Sequence, residues 1–237
     1  MNYLALAKKM CRAIGYAEPT SIALAGADQS LVLEWLADAW VHIQETEERW
    51  SFMQFSATVN ALINKSTYTP VEMGLPTLRE IVVGRTILTE TDGTFIKYMT
   101  WVTPAEMEYK TMTAPLIGIP EFYSTERGIV TIYPMPDKAY KANIQYMVNP
   151  VVLTLDTDEP AAPEHFHKII LFKALHEYSV SDNSPEQFQF GSVEFEQYLN
   201  RMNRECLPQP SMSGRKTGKF YEQKHSNRYS ANAGYTV

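Results

Sequence analysis

Three histidines, His165, His167 and His176, stand with Glu164 and Glu177 as the one cluster in this sequence whose residue types could hold a divalent metal. Zinc needs several such ligands converging on one point, and the spacing works against that. His167 and His176 lie nine residues apart, more than two helical turns, while His165 and His167 point to different sides of a helix. Asp156-Thr-Asp158-Glu159 lacks the glycine and the spaced glutamate of a calcium loop, and reads better as a solvated acidic turn ahead of a helix N-terminus. Glu45, Glu47 and Glu48 beside Arg49 read as a charged helix end. Gly214-Arg-Lys-Thr-Gly218-Lys219 falls short of a phosphate loop, with three residues between its glycines where four are needed, Phe220 where Ser or Thr must follow the lysine, and no strand before it. Cys11 and Cys206 sit on amphipathic segments, where single thiols act as small buried hydrophobes. No Gly-x-Ser-x-Gly, His-Glu-x-x-His, Cys-x-x-Cys or Gly-x-Gly-x-x-Gly motif is present. The sequence therefore predicts no catalytic residue, no metal and no cofactor. An active site built from distant carboxylates on β loops would leave the same trace, so an enzyme stays as an alternative.

The elements around these residues can be read from periodicity. Leu4, Ala7, Cys11 and Ile14 form one stripe and predict a helix over 3–14, ended by Gly15. Asp28 or Ser30 is the expected cap of a second helix, running to about residue 48, with Val32, Leu36, Ala39, Trp40 and Ile43 on its apolar face and Glu34, Asp38 and Gln44 outside it. Leu31 and Trp35 add a second apolar edge. A helix apolar over so much of its circumference is packed on two sides, by its own chain or by another subunit, which makes Leu31, Trp35 and Trp40 the candidate subunit interface.

The period then drops from 3.6 to two. Phe55, Ala57, Val59, Ala61 and Ile63 alternate with polar neighbours, and residues 87–90 are expected to face 95–102 across a hairpin at Asp92-Gly93. Thr103-Pro104-Ala105-Glu106 is a capping box that starts a short helix running to about Met112. A strand over 128–133 turns through Pro134–Asp137 into another over 140–148, where Tyr140, Ala142, Ile144, Tyr146 and Val148 oppose Lys141, Asn143, Gln145 and Met147. A helix opens at Pro163 and Glu164, and another at Ser184-Pro185-Glu186 carries Phe188, Ser192, Phe195, Leu199, Met202 and Cys206 on a seam like that of a coiled coil. The expected architecture is α+β: a helical bundle core from residues 1–50 and 163–207, an inserted antiparallel β-rich region over 51–162 with one short helix, and an extended C-terminal arm over 208–237.

The arm stands apart in composition. It holds only Met212, Phe220, Tyr221, Tyr229, Tyr235 and Val237 as large apolar groups, too few to order it without a partner, and so reads as a docking segment. Its expected binding residues are Arg215, Lys216, Lys219, Phe220, Tyr221, Lys224, Arg228 and Tyr229. With Glu222 its one acidic residue, the arm is basic, whereas residues 1–207 carry 16 basic and 26 acidic side chains, within a net charge of −6 for the whole chain. That balance argues against a general nucleic-acid coat, although a nucleic-acid-binding arm using interleaved cations and aromatics is a second alternative. At 45% hydrophobic and 12% aromatic the chain stocks a sizeable core. There is no run of eighteen apolar residues, and Lys8, Lys9 and Arg12 follow the first apolar residues in the wrong order for a secretory signal, so no membrane role and a cytoplasmic origin are expected.

Several blocks in order resemble the head-to-tail adaptor (connector) proteins of short-tailed double-stranded DNA bacteriophages. They are the tryptophan-rich second helix running into Glu48-Arg49-Trp50-Ser51-Phe52-Met53 and a strand; Ile129-Val-Thr-Ile-Tyr-Pro-Met-Pro136 followed by Tyr140 and Tyr146; and Leu155, Glu159-Pro160, Pro163 and Phe166-His167 leading into a helix with Ala174-Leu175. The resemblance implies a structural virion protein of the neck, assembled in the host cytoplasm. Its subunits would form a homo-oligomeric, twelve-membered ring beneath the portal protein, joined on the far side to a tail nozzle or other tail proteins, with terminal extensions reaching adjacent rings. A closed ring needs two complementary faces on each subunit. An acidic body suits a channel that double-stranded DNA traverses without specific binding, since it repels phosphates. Extended at about 3.3 Å per residue, the arm would span on the order of 100 Å.

Overall fold

The computed structural model describes residues 1–113 and 116–208. Nearly all of the expected arm, from Gln209 onward, lies outside the described residues. The first helix, α1 (Tyr3–Ile14), begins where Asn2 Oδ1 accepts the Ala5 N–H at 3.0 Å, and ends at Gly15, whose φ of 80° lets the Tyr16 N–H return to Cys11 O at 2.8 Å. Its buried stripe is Tyr3, Leu6, Ala7, Met10 and Cys11, one step round from the expected one, so Leu4 and Ile14 flank it half-buried. The second helix, α2 (Ala27–Thr46), corrects the expected cap. Gly26 holds that place, its N–H donating to Gln29 Oε1 at 2.9 Å, and Asp28 and Ser30 lie inside the helix.

The β region comprises β1 (Gln54–Ala61), β2 (Thr67–Tyr68), β3 (Leu78–Ile81), β4 (Ile87–Thr89), β5 (Phe95–Tyr98) and β6 (Thr100–Trp101), then α3 (Pro104–Thr113), then β7 (Ile117–Gly118), β8 (Phe122–Glu126), β9 (Ile129–Tyr133), β10 (Met135–Pro136) and β11 (Tyr140–Val148). The chain returns to helix with α4 (Lys168–Ser181), preceded by a 3₁₀ turn over Glu164–Phe166, and α5 (Pro185–Cys206). The fold is α+β, with antiparallel pairing dominant.

β11 organises the larger sheet, whose order is β1-β11-β4-β5 with β3 also paired to β11. β1 pairs with it in unbroken register from Gln54 opposite Met147 to Ala61 opposite Tyr140. The second sheet, β2-β9-β8-β6, packs on the first around Val59, Ala61, Tyr68, Ile81, Leu88, Tyr123, Val130, Ile132, Tyr140 and Ile144. The hairpin at Asp92-Gly93 forms, but residues 95–102 are not one strand. Met99 is buried in the β core, and Thr100–Trp101 cross over to pair in parallel with β8. The strand β8, which the sequence reading passed over, joins β9 through Arg127 and Gly128, both at positive φ.

A separate core lies among α1, α2, α4 and α5, where Leu6, Leu36, Trp40, Ile43, Trp50, Phe166, Ile169, Ile170, Ala174 and Met202 are closed to solvent. Met147 belongs to this helical core although it alternates with the outward residues of β11. The reason is that the sheet's polar outer face ends there and the helices cover it, so both faces of the strand are buried at that end. Gln44, expected outside the apolar face, is likewise buried at 2% exposure. Its amide clasps Val151, donating to the carbonyl at 3.0 Å and accepting the N–H at 3.0 Å, which pins the exit of β11 to α2.

Candidate functional site

Several of the described groups that the sequence singled out for chemistry hold the fold together. His165 meets Glu205 at 3.1 Å on the surface between the 3₁₀ turn and the end of α5. His167 is buried, with Nε2 2.8 Å from Ala162 O and Nδ1 2.8 Å from the Met1 amine, so it ties the start of the chain to the start of α4. His176 packs its ring against Phe188 at 4.6 Å. The three imidazoles serve three contacts, and among the described residues no group of three or more His, Cys, Asp or Glu is placed to hold a metal. Glu177 is engaged by Lys173 at 2.7 Å, which holds its carboxyl below the ordinary range.

The acidic turn is a fastening. Asp158 Oδ2 accepts the N–H groups of Thr154 and Leu155 at 2.7 and 2.8 Å, and these bonds hold its carboxyl below the ordinary carboxylate value. Asp156 Oδ1 accepts the Ile22 N–H at 2.7 Å, and the Asp158 carbonyl accepts that of Tyr3 at 2.7 Å. The turn thereby caps α1 and anchors the α1–α2 connection, while Glu159 stays exposed. Glu45 and Glu48 are exposed at the end of α2, with Glu47 partly covered and Arg49 exposed beside them. Cys11 and Cys206 are both buried free thiols whose pKa burial pushes up, so they stay protonated and unreactive. Gly214–Lys219 lies outside the described residues.

The described residues also form several concave features, of which two stand out. An apolar cavity of about 30 Å³ sits inside the β core, lined by Val59, Leu88, Tyr123 and Ile132 among others, and has room for about one water. A larger, open groove of about 650 Å³ runs between α3 and the β8–β9 hairpin, past Pro104, Met107, Glu108, Glu126 and Arg127. The first is too small for a substrate.

What the surface does offer is contact area. Of the expected subunit interface, Leu31 is exposed and Trp35 half-buried, its ring edge-on to Tyr178 at 5.5 Å. Trp40 is 1% exposed, stacked on Phe52 in its own chain's core, and is therefore unavailable to a neighbour. The seam of α5 is buried only toward its C-terminus, at Met202 and Cys206. Phe188, Phe190 and Val193 stay exposed at separate positions around its first half, Phe188 being a residue expected on the intramolecular seam. Between them Gly191 lets α5 cross α4 closely: a Cβ there would lie 3.0 Å from His176 N and 3.1 Å from Phe172 O. The residues named for the arm, Arg215, Lys216, Lys219, Phe220, Tyr221, Lys224, Arg228 and Tyr229, lie outside the described residues. Among the described residues no helix is long and apolar enough to cross a membrane.

No curated protein matches the chain. The model of one family, described as SU10 adaptor protein, matches residues 1–216, which takes in the helical and β cores and the five α-helices of the described residues, and the first residues of the basic segment. On that match the chain belongs to the SU10 adaptor protein family.

Proposed function

We propose that the chain is a head-to-tail adaptor subunit of a short-tailed double-stranded DNA phage, a structural component of the virion without catalysis. The observation that carries this reading is the family match over residues 1–216, nine-tenths of the sequence. In this reading the subunits form a ring, a dodecamer by resemblance, beneath the portal and above a tail nozzle or other tail protein. Ring closure needs a head-to-tail contact between two unlike faces. Phe188, Phe190 and Val193 on α5 and Leu31 on α2 supply exposed apolar groups on separate helices, which is the kind of group such a contact uses. The acidic body faces DNA in transit and repels its phosphates. The basic segment from Arg215 to Arg228, with Phe220, Tyr221 and Tyr229, docks on acidic grooves of the portal or a neighbouring subunit.

The test is assembly. The full chain and a 1–207 truncation are each mixed with the portal protein of the same phage and the complexes are weighed by native mass spectrometry. A ring of full-length chains on the portal, lost or weakened for the truncation, is the expected result. Equal binding by both would remove the arm from the reading, and a full chain that stays monomeric with portal present would remove the ring.

A further inference from the structure

We infer that β1 is a docking edge for a second copy of itself, so that two chains in solution join their larger sheets across a two-fold axis. The inference starts from a contrast within one sheet. Three of its strands have an unpaired side among the described residues, and two are guarded: in β5 Ile96 is an extra residue that bulges between the pairs Leu88–Lys97 and Thr89–Phe95 and Lys97 adds a charge, while β3 is four residues long and carries Arg79 and Glu80. Bulges and lysines are the devices by which proteins keep an edge from pairing with another chain. β1 carries neither. Its eight residues, Gln-Phe-Ser-Ala-Thr-Val-Asn-Ala, include no charge and no proline, and its register with β11 is free of shifts from end to end. Among the described residues β1 pairs with β11 alone, which leaves a full row of backbone donors and acceptors facing outward.

The sequence of β1 selects its own copy as the occupant. With the axis perpendicular to the sheet and passing beside Thr58, the antiparallel partner keeps its inner face inward, as the alternation of side chains requires. Thr58 then lies opposite Thr58, each hydroxyl donating to Asn143 Oδ1 of its own chain at 2.6 Å, and Ser56 lies opposite Asn60, short polar groups that can bond across strands on the outer face. On the inner face Phe55 falls opposite Ala61, and Ala57 opposite Val59, so each larger group meets a small one. Phe55 is 47% exposed in the single chain, and this pairing covers it. No like charges meet anywhere along the contact, since β1 has none. A two-fold contact closes on itself and cannot propagate around a ring, so this dimer is a form of the chain outside the ring, and the inference does not depend on the ring reading.

Three variants of the full chain test it, and Thr58 and Ser56 are exposed enough for the fold to tolerate change. Thr58→Cys brings two thiols to facing positions at a separation that a disulfide spans, so mild oxidation should give a covalent dimer about tenfold faster than for Asn143→Cys, one strand inward on the same face. Cys11 and Cys206 are buried and give little background. Thr58→Lys sets two cations against each other at the axis and should convert the dimer to monomer in sedimentation velocity, with an unchanged circular dichroism spectrum. Equal cross-linking of the two cysteine variants, a dimer mass unaffected by Thr58→Lys, or a wild-type chain that is monomeric at high concentration would each overturn the inference. A larger oligomer that ignores Thr58→Lys would overturn it while leaving the ring reading in place.

Discussion

Gly191 gives the sharpest test of how the helical core is packed. Replacing it by alanine adds one methyl group to α5 at its crossing with α4. That methyl would sit 3.0 Å from His176 N and 3.1 Å from Phe172 O, inside the ordinary contact range that begins near 3.4 Å, and both atoms are backbone. α4 has no room to retreat, because its opposite side packs Ile169, Ile170 and Ala174 into the core shared with α1 and α2. Phe172 and His176 are also framed by Phe190, Tyr198 and Phe188. Overpacking of this kind costs about 1–3 kcal/mol, and removing a helical glycine returns about 0.5–1 kcal/mol. The net expectation is a loss of about 0–2.5 kcal/mol with its middle near 1 kcal/mol, where Tm falls by about 2–4 °C for a chain of this size. Trp35, Trp40 and Trp50 all belong to the helical core and Trp101 to the β core, so tryptophan fluorescence during urea or thermal unfolding reports chiefly on the part being perturbed. Gly191→Val should lose more than Gly191→Ala, and Gln197→Ala on the exposed side of α5 should change little. If Gly191→Ala were as stable as wild type or more so, the close crossing would be wrong and the helix-propensity gain would have decided the outcome.

Four further outcomes are expected. Trp50 is closed to solvent and donates from Nε1 to Ile43 O at 2.9 Å, so Trp50→Phe should cost about 1–3 kcal/mol by urea titration, whereas a neutral result would show that the bond adds nothing. Cys11 and Cys206 should react with a thiol reagent at neutral pH only as fast as the chain unfolds; fast labelling of the native protein would contradict their burial. Asp158 has a lowered pKa in the folded chain, so its contribution is fully present above the unfolded carboxylate value and disappears as pH falls through the lower folded one. Asp158→Asn should accordingly flatten the acid side of a Tm-against-pH curve, and an unaltered curve would refute that. A synthetic peptide of residues 208–237 should bind duplex DNA weakly and lose that binding with added salt, while tight binding at physiological salt would favour the nucleic-acid reading of the arm.

Much of the local structure was legible because it depends on neighbours in sequence. The apolar stripe and Gly15 bound α1, the Thr103–Glu106 box starts α3 with Glu106 N–H on Thr103 Oγ1, and Asp92-Gly93 turns the hairpin, because caps and turns are decided within four residues. What escaped depends on contacts distant in sequence. Gln44 looks like a surface residue until Val151 arrives from 107 positions away. Met147 alternates outward and is still buried, since only the packed helices make that end of β11 two-sided. The break at Met99 reflects a choice between two sheets that no window of residues 95–102 contains. Trp40 is closed inside its own chain's core and Phe188 stays 43% exposed while packing on His176, since helical spacing says which residues share a stripe but not how far neighbouring elements cover it. No motif pointed to chemistry, and His165, His167 and Asp158 make contacts with α5, the chain start and the turn before α4 that the sequence does not announce.

The helical core is assembled from the two ends of the chain, and this has a consequence for synthesis. Between Thr46 at the end of α2 and Lys168 at the start of α4 lie about 120 residues, which a ribosome adds over on the order of ten seconds. Throughout that interval Val32, Leu36, Trp40 and Ile43 have α1 to cover them but neither α4 nor α5. The β region, whose partners are all internal to it, can close first and hold Gln54 and Met147 side by side. That brings the two halves of the helical core within reach, so the strand pair β1–β11 acts as the template on which the later helices are recruited. A chain weakened in that pair should be captured by chaperones as a nascent polypeptide, before any partner in the virion has been met.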